Sequence, residues 1–315
     1  MHRLFTVDTE LSLAMQRGGA SAEENYRSAY LGETDKGSFG IPYQLDCLDR
    51  HGLKGVFFVE ALHAQLLGDE LLKRMVDEIG GRGHDVQLHL HVEWLWFHEG
   101  ALQLPRKKQH IGDLSYAEQL ELLGLGQAAL ERCGARPTAF RAGNYGANDD
   151  TLRALKTLGI GIDSSFNPTM DASKVSLPPE TAVPVTHEGV LELPVSWFHD
   201  RPGNRRHVQL CAVSHAELAH TMRAAERQGH PVFNIVSHSF ELLSRDRTRP
   251  HEIVIRRFEK LCETLNAQGG TSVIDDLEMD VVGQTYAAPL RSNLVRTGGR
   301  IAMQVLGNRL YERPA

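Results

Sequence analysis

Short apolar runs alternate with longer segments of helical period along most of the chain. Residues 3–9, 55–60, 85–91, 138–142, 159–163, 190–195 and 231–237 read as strands. Between them, residues 42–51, 69–79, 115–133, 149–158, 214–228 and 250–268 repeat their apolar positions as helices do. Punctuation agrees with these limits. Gly52 follows the first helix and Gly80-Gly81 close the second. Ser115 with Glu118 three residues on is a capping box, and Pro250 suits a first helical turn. Residues 272–275 predict a last strand, and residues 167–187, rich in Pro, Ser and Thr, predict a surface excursion. Strands alternating with helices imply a mostly parallel sheet covered on both faces. Seven or eight such units over about 280 residues point to one α/β fold, a distorted (β/α)7-type barrel of mostly parallel strands. The barrel is expected over residues 1–285, with a separate tail over 286–315.

Composition narrows the class without changing it. The chain has 315 residues, 41% of them hydrophobic and 23% charged, with a net charge of −6. Those values exclude a disordered or collagen-like chain and give no footprint for nucleic acid. Cys47, Cys133, Cys211 and Cys262 are far apart in sequence and form no CxxC pair, which reads as a reducing compartment. The first residues meet an acid at once, and no run approaches the roughly 18 apolar residues of a membrane span. The expectation is a cytoplasmic protein.

In a parallel barrel, chemistry gathers at the C-terminal ends of the strands. The first strand ends in Asp8-Thr9-Glu10, with two carboxylates on one side of the strand. The third ends in His89-Leu90-His91, two imidazoles at a spacing that lets both reach one metal, with Glu93 just beyond. Arg141 through Gly146 follow the fourth strand, and an arginine there can hold a carboxylate ionised. His238 emerges from the apolar run Phe233–Ser237 and suits acid–base work near neutrality. A Glu/His/His ligand set with an open position suits catalytic Zn²⁺, and a second carboxylate beside it can deprotonate water. The pattern describes metal-assisted hydrolysis.

These residues resemble the polysaccharide deacetylase superfamily, carbohydrate esterase family 4. Thr6-Val7-Asp8-Thr9-Glu10 is similar to the family's TFDDG motif, and the stretch from Gly83 to His91 to its histidine motif. Arg141 to Gly146 is similar to RxPYG, Glu192-Leu193-Pro194-Val195-Ser196-Trp197 to ELPxxW, and Ile235 to His238 to the closing histidine strand. Gly161 to Ser165 resembles the YDSS step. The match departs at Thr9, which breaks the adjacent acid pair and leaves Asp8-x-Glu10. It departs again after His89, where HxxxH would place a histidine and the chain has Glu93. The third motif is one residue longer and lacks its proline.

The resemblance implies a metal-dependent N-deacetylase of an acetamido sugar. It makes Asp8 the base and Glu10 a ligand, with the exchange of those two roles left open. His89 and His91 are the other ligands, with Glu93 the alternative to His91. The metal is Zn²⁺ or another divalent transition ion. Arg141 orders the base, His238 is the acid, and Asn144, Tyr145 and Trp197 meet the substrate. A cytoplasmic chain of this kind is expected to use a glycan, lipid-linked or nucleotide-linked precursor. The alternatives are hydrolysis of another non-peptide C–N bond, such as a cyclic imide, and an inactive glycan-binding barrel. The tail carries Arg291, Arg296, Arg300, Arg309 and Arg313 against Glu312, interleaved with apolar residues. That pattern suits peripheral contact with the inner membrane face.

Overall fold

The computed structural model describes residues 1–277 and 288–311. Strand β1 (His2–Thr9) leads through short helical turns to helix α1 (Ile41–Arg50). β2 (Val56–Glu60), α2 (Glu70–Gly81), β3 (Asp85–Leu90), α3 (Tyr116–Arg132), β4 (Ala139–Ala142), α4 (Asp149–Thr157) and β5 (Ile162–Asp163) follow. β6 (Val185–His187) and β7 (Val190–Glu192) form a hairpin, as do β8 (Trp197–Arg201) and β9 (Asn204–His207). Then come α5 (His215–Arg227), β10 (Val232–His238), α6 (Glu252–Ala267), β11 (Leu290–Arg291) and α7 (Leu294–Tyr311). This is the expected α/β architecture of (β/α)-barrel type, with mostly parallel strands. No helix among the described residues is long and apolar enough to cross a membrane.

The chain divides into two compact units. The first comprises Met1–Gly55, Ser196–Ser272 and residues 288–311; the second comprises Val56–Val195 and residues 273–277. In the first unit β1 pairs in parallel with β10, from His2 opposite Val232 to Asp8 opposite His238. Both strands are buried almost throughout, which explains their unbroken apolar runs. Helix α6 covers them, with Phe258 stacked on Phe5 at 5.2 Å between ring centroids. In the second unit β2, β3, β4, β5 and β7 run parallel, and β6 adds an antiparallel edge. Helix α3 lies close on β3 because Gly126 has no side chain; a Cβ there would come within 2.6 Å of Leu90 Cδ2. Its N-terminus carries the expected box, the Glu118 carboxylate accepting from Ser115 N at 2.8 Å.

Three expectations are corrected. Residues 272–275 form no strand: Ile274–Asp276 is a 3₁₀ turn, whose Asp276 carboxylate accepts from Val273 N at 2.8 Å. An aspartate that can close a local turn competes with the ladder. Residues 167–187 are not wholly a surface excursion. They bury Val175 and Val183 and end in β6, which turns into β7 through Glu188 and Gly189 at φ of 49° and 81°. That is the left-handed pair a tight hairpin requires. Helix α6 begins at Glu252 with His251 as its N-cap residue, so Pro250 precedes the helix.

Candidate functional site

In the first unit, Asp8 and His238 lie opposite each other at the ends of β1 and β10. His238 Nε2 is 3.8 Å from Asp8 Oδ2. Possible ligand atoms of Asp8, Glu10 and His238 all lie within 4.8 Å of one another. Ser239 fixes the turn that carries the acids: its N–H donates to Asp8 O at 3.1 Å and its hydroxyl to Glu10 O at 3.1 Å. The other side of the His238 ring is held as well. Nδ1 donates to Glu241 Oε1 at 2.8 Å, and Gln44 Nε2 donates to the His238 carbonyl at 3.1 Å. Glu241 is itself buried, accepting from Cys211 N at 3.1 Å and from Gln209. Burial alone would depress the imidazole. The hydrogen bond and charge of Glu241, with Asp8 and Glu10, overcome it and raise His238 to about 9. His238 is therefore a cation at neutral pH, suited to donating a proton.

In the second unit, β3 delivers His89 between Glu60 of β2 and Arg141 of β4. The His89 and His91 rings lie edge to face, 5.0 Å apart, and both residues are buried. His89 Nδ1 is 2.7 Å from the Arg141 carbonyl, which only accepts, so Nδ1 carries the proton. His91 Nδ1 is 3.2 Å from Glu93 Oε2 and donates likewise. In each neutral ring the lone pair therefore sits on Nε2. Two imidazoles with Nδ1–H given to oxygen and Nε2 left as the donor atom fit a borderline transition metal. Glu93 Oε1 accepts from Asn144 Nδ2 at 2.9 Å, so Glu93 spends both oxygens orienting its neighbours. Glu60 anchors the same ends, accepting from Leu62 N at 2.8 Å, His63 N at 3.1 Å and His91 N at 3.4 Å.

After β4 the backbone passes through two left-handed residues, Asn144 at φ 55° and Tyr145 at φ 58°. Such strain in bulky residues persists only where neighbours impose it, and it collects at functional sites. Asn144 is exposed and Tyr145 buried. Arg141 is fully buried: Nε donates to Ser164 O at 3.2 Å, Nη2 to Ser164 Oγ at 3.0 Å, and the guanidinium lies 4.3 Å from the Phe58 ring centroid. Close by, Asp163 and Glu192 face each other across β5 and β7, both inaccessible to solvent. Burial raises both carboxyls, Glu192 well above its ordinary value with the Asp163 charge adding to the shift. Burial and the neighbouring charge thus favour the protonated form, most strongly at Glu192. Trp197 of the first unit is enclosed, edge-on to His199 at 5.4 Å and covered by Arg205, so it stiffens the fold and presents no stacking face.

Sequence reasoning missed Glu241, Glu60 and the orienting part of Glu93. Glu241 stands three residues beyond His238, and a His-x-x-Glu step at a strand end was the available signal.

No protein-family profile matches the chain, and no curated protein matches it. Solved structures do. A candidate polysaccharide deacetylase from Mycobacterium smegmatis aligns over 100% of this chain and 94% of its own at 17% identity, TM-score 0.49. A family 4 carbohydrate esterase from Streptomyces lividans, in complex with acetate, aligns over 92% and 98% at 14% identity, TM-score 0.41. A family 4 pseudoenzyme from Bacillus anthracis aligns over 93% and 69% at 12% identity, TM-score 0.45.

Proposed function

We propose that the chain is a member of the polysaccharide deacetylase superfamily and a metal-dependent hydrolase that removes an N-acetyl group from an acetamido sugar. The observation that carries this reading is the pair of buried imidazoles, His89 and His91, each giving Nδ1–H to an oxygen acceptor. In this reading His89, His91 and Glu10 hold Zn²⁺ or another divalent transition ion. Bound there, the ion supplies Lewis-acid polarisation of the amide carbonyl.

The remaining chemistry belongs to the side chains. Asp8 takes a proton from the water that attacks the carbonyl carbon, and Arg141 orders the strand end beside the reaction. The Tyr145 backbone N–H donates to the developing oxyanion. His238, cationic at neutral pH, gives its Nε2 proton to the amine nitrogen as the C–N bond breaks, releasing acetate and the free amino sugar. Glu241 keeps that imidazole charged and aligned. Asn144 acts beside the substrate and holds Glu93, which in turn orients His91. The substrate belongs to the glycan, lipid-linked or nucleotide-linked acetamido sugars. In this reading the protein works in the cytoplasm, at or near the inner membrane face, which its cysteines without a disulfide framework support.

The test is metal content by elemental mass spectrometry, beside His89→Ala, with acetate release measured on a panel of acetamido sugars and ring opening on cyclic imides. About one ion per chain, lost in the variant, with acetate released from a sugar, is the expected result. A chain that takes up no stoichiometric Zn²⁺, Co²⁺ or Ni²⁺ would overturn the hydrolase reading and leave a glycan-binding protein. Turnover of cyclic imides alone would move the reaction to another C–N bond.

A further inference from the structure

Helix α7 is amphipathic in the opposite sense to an ordinary surface helix. Its inward stripe is polar: Thr297, Arg300, Gln304, Gly307 and Tyr311 recur at helical spacing. Thr297, Arg300 and Gly307 are buried. Arg300 anchors the helix, with Nη2 at 2.6 Å from Asp200 and Nε at 3.2 Å from Glu217, all three side chains almost solvent-free. Thr297 Oγ1 donates to the Asp200 carbonyl at 2.9 Å, and Gln304 Nε2 to the Ala212 carbonyl at 3.2 Å. Tyr311 stacks on His251 at 4.2 Å. The apolar residues point the other way. Leu294, Val295, Ile301, Val305, Leu306 and Leu310 are exposed, Val295 by 83% and Val305 by 62%. An apolar stripe normally faces the core, so this one is turned toward something other than its own fold.

The charge around that face selects its occupant. Residues 288–311 contain no acid. The elements that pack on α7 add Arg201 and, on α5, Arg223 and Arg227, all exposed. Of their acids, Asp200 and Glu217 are buried against Arg300, and the exposed Glu226 is paired with Arg3 at 2.8 Å. Burial first, then the combined field of Arg296, Arg227 and Arg223, pushes the His220 imidazole down, which places these cations together. A chain of net charge −6 thus concentrates positive charge beside its exposed apolar helix. A second copy would set like charge against like, whereas an anionic bilayer offers a hydrocarbon boundary beneath negative headgroups.

We infer that α7 is a membrane-surface helix that seats the protein on anionic lipid, its apolar face in the acyl boundary and Arg296, Arg309, Arg223 and Arg227 at the headgroups. This deepens the proposed location at a membrane face and rests on that location, not on the reaction. Vesicle partition and metal uptake are separate measurements, so the two readings can fail independently.

The experiment is partition of the full chain onto vesicles of phosphatidylcholine, with and without phosphatidylglycerol, as salt is raised. Partition onto anionic vesicles only, weakening with salt, is expected. Val295→Asp with Leu306→Asp abolishes it. Arg223→Glu with Arg227→Glu weakens it at least about twenty-fivefold, roughly fivefold per arginine. Unchanged thermal midpoints show that the variants fold, and the arginine pair stands as the second variant if the apolar pair does not. Equal partition with both lipids, or partition insensitive to both pairs, overturns the proposal. So does a dimer that Val295→Asp dissociates while no vesicles are bound.

Discussion

At the scale of single residues, the candidate site depends on groups that hold its side chains from behind. Glu241 raises His238 to about 9, well above its ordinary 6.5. The folded state therefore holds that proton more tightly than the unfolded chain does. The stability it contributes is complete below about pH 6.5 and lost as pH rises through about 9, on the order of 3 kcal/mol at most. Urea unfolding of the metal-free protein should show this decline, and Glu241→Gln should flatten it while an NMR titration moves His238 toward 6.5. Glu192 works in the same direction over a different range. Its neutral form belongs to the fold, so stability is full below the ordinary 4.5 and falls as pH rises through its raised value. Glu192→Gln should shrink that slope to the part from buried Asp163 and leave the one from His238. Gly143 is the third such residue. A Cβ there would stand 2.7 Å from His91 Nδ1 and 2.8 Å from the Leu90 carbonyl. Gly143→Ala should cost about 1–3 kcal/mol and weaken metal uptake roughly 10–100-fold, read by denaturation and by competition with a chelator.

At the scale of elements, stability follows where helices close on strands. Phe258 of α6 is fully buried against Phe5 of β1. Phe258→Ala should cost about 3–5 kcal/mol, visible as a lower urea midpoint with an unchanged slope. Elements of this kind were legible in the sequence because their signal is local: β10 is an apolar run, and α3 announces itself with a capping box. The elements that escaped depend on partners. β6 has no apolar alternation and exists because β7 pairs with it, and β8 with β9 joins across Pro202-Gly203. The strand expected at residues 272–275 failed because Asp276 satisfies the local backbone first. The site divides in the same way. Asp8, His89, His91 and His238 could be read from strand ends, whereas Glu241, Glu60 and Glu93 act through hydrogen bonds whose spacing no single periodicity encodes.

At the scale of the whole molecule, net charge conceals distribution. The chain is acidic overall, yet exposed Arg309 lies on a helix without acids, and exposed Arg223 and Arg227 lie on α5, whose Glu217 and Glu226 are paired with Arg300 and Arg3. At neutral pH and low salt the protein should therefore be retained on a cation exchanger despite its net charge of −6, and Arg223→Glu with Arg227→Glu should elute earlier. The buried acid pair in the second unit has a different kind of consequence. Asp163 and Glu192 are fully enclosed, so a proton held on this pair can be replaced by deuterium only when the surrounding strands part. In heavy water, the neutral carboxyl band of this pair in the infrared would act as a clock, its isotope shift timing the opening of the second unit from inside.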